Sequence, residues 1–120
     1  MRFEHWGARR SALKLIYFAA LFGVMWAGFL PLCNLIFDCG CKVAWAGAAT
    51  QCNIHTQGMK HCPLCTVPYF YDGVLLGIAV TQGWLVWRGS RLWDYALAFF
   101  AFPLIGTLSS LVLGWYVGYW

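Results

Sequence analysis

All six cysteines and two of the three histidines of this 120-residue chain fall between positions 33 and 65. Apart from Cys33 they lie in three fragments: Cys39-Gly40-Cys41, Cys52-Asn53-Ile54-His55 and His61-Cys62-Pro63-Leu64-Cys65. Thiolate and imidazole are soft to borderline donors, and a C-x-x-C or C-x-x-H spacing lets two of them curl onto one ion at about 2.0–2.3 Å. Cys52, His55, Cys62 and Cys65 are therefore the first-choice ligands of a Cys3His site, a compact knuckle with too few residues between its halves to insert a helix. Cys39, Cys41 and His61 are substitutes or, with Cys33, the donors of a second site. Zinc is the expected ion, and its binding would order a loop with almost no hydrophobic periodicity of its own.

Two other metals are alternatives: copper, because Met59 lies among the donors, and an iron–sulfur cluster, which four or more thiolates can hold. Covalent haem is disfavoured, since its attachment needs a histidine directly after C-x-x-C and Thr66 follows Cys65. A disulfide framework without metal competes, because cysteines pair by default on the oxidising side of a membrane. A third chemistry is thiol–disulfide exchange at Cys62-Pro63-Leu64-Cys65, with Cys39 and Cys41 as the second pair.

The elements that must hold this loop are apolar. Hydrophobic residues make up 62% of the chain and charged residues 10%, against about 45–50% and 25% in soluble domains. The expected fold is an all-α integral membrane protein with three transmembrane helices and the Cys/His-rich loop between the first two. Residues 1–12 form a cytoplasmic flank, 13–37 the first span, 38–68 the loop, 69–87 the second span, 88–94 a cytoplasmic turn and 95–120 the third span. Pro31 should bend the end of the first span. The short polar turn Arg88-Gly89-Ser90-Arg91 makes the last two spans antiparallel.

Lysine and arginine at positions 2, 9, 10, 14, 88 and 91 place the amino terminus and that turn in the cytoplasm, with the loop and the carboxyl terminus outside or in the periplasm. His5, beside Glu4, reads as an interfacial residue, and Asp38 and Asp72 mark the interface at the two ends of the loop. Arg9-Arg10 has a twin-arginine look and Ala44-Trp45-Ala46 resembles a cleavage site. The apolar run is too long for a signal core, so the first span is expected to stay as an anchor.

Small residues recur every fourth position at Gly106, Ser110, Gly114 and Gly118, and more briefly at Ala19, Gly23, Ala27 and at Gly73, Gly77. Such stripes allow close helix contact, and the longest is the expected docking face for a larger membrane complex, alongside contacts with the lipid bilayer. No basic groove interleaved with aromatics marks a nucleic-acid partner. No catalytic Ser/His/Asp set, carboxylate pair or phosphate-cradling loop is present, so the expectation is a non-catalytic membrane subunit or accessory protein. A membrane thiol–disulfide oxidoreductase and a metal-ion carrier are the alternatives.

Overall fold

Residues four apart on a helix share a face, and Leu21, Met25, Phe29, Cys33 and Phe37 keep that spacing without a break. All five are buried. They form the packed face of α1 (Phe3–Phe37) in a computed structural model that describes residues 3–120, with side chains from residue 7 onward. Arg2 and the side chains of Glu4 and His5 lie outside the described residues. The 3-10 turns Ala44–Ala46 and Asn53–His55 follow, then α2 (Pro63–Thr66), α3 (Phe70–Arg88) and α4 (Leu92–Tyr116). No strand occurs among the described residues. Helix α1 continues through Pro31 and α4 through Pro103.

Two segments, Gly7–Phe37 and Leu92–Tyr116, are long and apolar enough to cross a membrane. Only 17% and 28% of their most apolar windows are buried within the chain, so most of this apolar surface faces outward.

The small-residue stripes differ from expectation in their use. Gly23, Gly73 and Gly77 have nothing near the position of a side chain, so the shorter stripes point away from the bundle. The longer stripe is filled from within the chain rather than left for a partner. A side chain at Gly106 would meet Leu32 and Phe29, Ser110 is fully buried, and one at Gly114 would meet Phe37 and Trp120. Gly118 does not extend the stripe. It takes φ +67° and stops α4, with Tyr119 N donating to Gly114 O at 2.8 Å and Gly118 N to Trp115 O at 3.2 Å, the bonding of a Schellman cap. The chain after it folds back onto α1: Tyr119 Oη donates to Phe37 O at 2.7 Å, and Trp120 stacks on the Phe37 ring.

The opposite end is tied by polar contacts. Lys14 Nζ donates to Trp87 O at 2.8 Å and Gly89 O at 3.0 Å, fastening α1 to the turn between α3 and α4. Asp94 Oδ2 accepts from Ser90 N and Arg91 N, both at 3.0 Å, which caps α4. Midway along the bundle, buried Gln82 donates to Ala98 O at 3.2 Å and bolts α3 to α4.

Gly89 is the tightest point of this turn, because a side chain there would sit 2.6 Å from Leu85 O and 2.8 Å from Asp94 Cβ. Neither neighbour can yield without disturbing the end of α3 or the cap of α4. Gly89→Ala is expected to destabilise the fold by about 1–3 kcal/mol, the usual cost of overpacking, measured as a lower midpoint of unfolding in mixed detergent and SDS.

Candidate metal centre

Cys33 lies one turn before the end of α1, on the face that also carries Phe29 and Phe37, so the helix presents its sulfur at the end of the bundle. Three devices bring the rest of the chain to it. First, Asp38 N donates to Asn34 O at 2.8 Å, and Gly40 N donates to Asn34 Oδ1 at 2.7 Å, turning the backbone so that Cys39 and Cys41 return over Cys33. Gly40 needs its glycine on two counts: its φ is +81°, and a side chain would run into the carbonyl oxygen of Gln51.

Second, Asn53 joins the separate arms of the loop. Its backbone N donates to Cys39 O at 2.7 Å, its side-chain Oδ1 accepts from Cys62 N at 2.8 Å, and its Nδ2 donates to Lys60 O at 2.8 Å. Third, Pro63 starts α2 directly after Cys62, a position where a missing N–H costs nothing, and the turn brings Cys65 round beside Cys62. Lys60 Nζ donates to Tyr119 O at 2.7 Å and ties this arm to the end of α4.

The result is one cluster of all six sulfur atoms, five of them on buried residues and Cys65 half-buried. Cys33 Sγ lies 2.9 Å from Cys62 Sγ and 3.4 Å from Cys39 Sγ, and Cys52 Sγ lies 3.7 Å from Cys65 Sγ. Within each of three groups the sulfurs are all less than 4.8 Å apart: Cys33, Cys62, Cys65; Cys33, Cys39, Cys41; and Cys41, Cys52, Cys65. Sulfurs on a tetrahedral ion at about 2.3 Å stand roughly 3.8 Å from one another, so the Cys52–Cys65 separation suits a shared metal, whereas Cys33 and Cys62 are closer than two ligands of one ion and would part on binding it. Pairing into disulfides joins sulfurs two at a time and does not call for groups of three.

Electrostatics point the same way. Hydrogen bonds from the Cys33 and Cys62 thiols hold the Cys65 thiol down to about 4. Burial, followed by hydrogen bonds with Cys52 and Cys39, pushes the Cys41 thiol up. The cluster thus accommodates one thiolate through its own S–H donors, while ionising more of its thiols calls for a cation.

The candidate ligands divide by element. Cys39, Cys41, Cys52, Cys62 and Cys65 converge, together with Cys33. The imidazoles do not join them. The 3-10 turn after Cys52 sends His55 to the surface, where Nε2 donates to Ala49 O at 3.1 Å, and exposed His61 donates from Nδ1 to Asn53 O at 2.9 Å. Met59 is also exposed. The cluster is therefore all sulfur, and the expected Cys3His set is not brought together. Asn53 and Asn34 were not distinguishable as supports in the sequence beyond their types, since nothing in their spacing marks which carbonyl or amide they reach.

Comparison of the chain with protein-family models, with curated proteins and with solved structures finds no match.

Asn53→Ala leaves Cys62 N and Lys60 O without their partner, at about 1–3 kcal/mol for the buried Cys62 amide. The expected outcome is faster alkylation of the loop cysteines by a water-soluble maleimide, with the helical circular dichroism retained.

Proposed function

We propose that this chain is a small three-span membrane protein whose outer end is organised by a metal–thiolate centre, and that it serves as a non-catalytic accessory subunit in the membrane. The observation that carries this reading is the convergence of six thiols from α1, the loop and α2 on one buried cluster. Soft thiolates select zinc or copper(I) over oxygen-seeking ions, and the loss of imidazole from the donor set strengthens that preference.

Several features support the membrane setting. Large apolar side chains along α1 and α4, including Ile16, Val24, Leu104, Leu108 and Val112, are 52–65% exposed, a surface that water would not tolerate but lipid would. Helix α3 contacts both α1 and α4. Its 19 residues reach about 28 Å at 1.5 Å per residue, the thickness of a bilayer core. If its two neighbours cross, it crosses with them. Lys14, Arg88 and Arg91 gather at the end away from the thiols, and the positive-inside rule assigns that end to the cytoplasm and the thiols to the exterior.

Protein purified in detergent under reducing conditions is expected to carry at least one equivalent of zinc or copper, with most thiols unreactive until a chelator is added. Cys65→Ser should lose metal, whereas His55→Ala and His61→Ala should keep it. Metal-free protein with its cysteines in bridges overturns the reading, and one pair cycling near a physiological potential would instead identify a thiol–disulfide oxidoreductase.

A further inference from the structure

The three groups of sulfurs are not independent. Cys33 belongs to the first and second, Cys41 to the second and third, and Cys65 to the first and third. Cys39, Cys52 and Cys62 each belong to one. The six sulfurs thus form a closed ring of three three-sulfur sites that meet at their corners.

That arrangement discriminates between metal centres. A single tetrahedral ion would collect one group of four sulfurs and leave two over. Two zinc ions in six thiolates need two groups of four sharing an edge. Corner-sharing groups of three match neither. Their connectivity is that of trigonal sites joined by bridging thiolates, the coordination that a monovalent d10 ion accepts and that a soft, polarisable sulfur can provide to two ions at once, with Cys33 and Cys62, 2.9 Å apart, separating as the ion enters.

We propose, resting on the metal-thiolate reading above, that the centre is polynuclear: three copper(I) ions, each held by three thiolates, with Cys33, Cys41 and Cys65 bridging and Cys39, Cys52 and Cys62 terminal. Loading is an exchange of protons for metal. The sulfurs still protonated release their protons to water, three Cu⁺ ions enter, six bridging and three terminal Cu–S bonds form, six thiolates against three Cu⁺ leave three net negative charges, and no atom changes oxidation state. Bridging also spreads the charge of each shared sulfur over two cations, which lets six thiolates lie side by side in a buried cluster.

The full chain in detergent, reduced and held without oxygen, is titrated with copper(I) and followed by native mass spectrometry. The expected plateau is near three ions per chain, with a metal–metal scattering shell in the copper X-ray absorption spectrum of the loaded wild-type protein. Cys39→Ser removes a terminal ligand and should lower the plateau by one ion, and Cys41→Ser removes a bridge and should lower it by two. A wild-type plateau at one or two ions, absence of the metal–metal shell, or equal losses in folded Cys39→Ser and Cys41→Ser overturns the proposal. The absorption spectrum needs no variant, so it decides even if a serine variant fails to fold. One tightly held ion without a metal–metal shell would sink the ring and leave the metal-thiolate reading standing, whereas protein that takes up no metal would sink both.

Discussion

A thiolate is a charge, and withdrawing a charge from water is costly unless a donor or a cation meets it. Six sulfur atoms packed at one end of a helical bundle make that cost the governing constraint on the molecule. Mutual S–H donation covers part of it, as the depressed Cys65 thiol shows. Burial keeps the Cys41 thiol protonated, and ionising it would call for a cation at the cluster, because Lys60, one of the two lysines in the loop, is engaged with the carbonyls of Gly118 and Tyr119.

The rest of the architecture reads as support for that packing. Cys33 is fixed by the same buried face that joins α1 to the bundle, so the first sulfur is as rigid as the helix. Cys39 and Cys41 are returned over it by a turn built on Asn34 and Gly40. Asn53 then locks the middle of the loop to both the Cys39 carbonyl and the Cys62 amide. These are short backbone and amide contacts between parts of the loop, and they position the sulfurs within an apolar cluster that Leu64, Ile54 and Val67 help to close. At the other end, Lys14, Gly89 and Asp94 hold the helices in register without touching the thiols.

Much of this was legible in the sequence because it rests on local rules. The charge-free runs marked α1 and α4, Arg88 to Arg91 marked the turn, and the cysteine spacing marked the convergence. What could not be read depended on direction rather than spacing. His55 follows Cys52 at a ligand-like interval, but a 3-10 turn points its ring toward water. Cys33 was counted among the donors of a second site, but that it shares one cluster with Cys62 and Cys65 was not; its four-residue spacing from Phe29 and Phe37 was the available signal that it faced inward. The small-residue stripe of α4 was visible, yet whether it receives a partner or α1 is decided by tertiary packing, here by Leu32, Phe37 and Trp120. Gly118 kept the interval of that stripe while serving as a helix stop, a role that depends on its positive φ.

The fold-back of Tyr119 and Trp120 onto Phe37 has a bearing on how the protein is made. The residues that bear the sulfurs emerge from the ribosome well before the segment that closes over the end of α1. Until α4 has packed, Phe37 and the neighbouring cysteines lack their cover, and Lys60 lacks the carbonyls that anchor its arm. Biogenesis therefore contains an interval in which the nascent thiols are open to oxidants or ions, and docking of the final helix ends it.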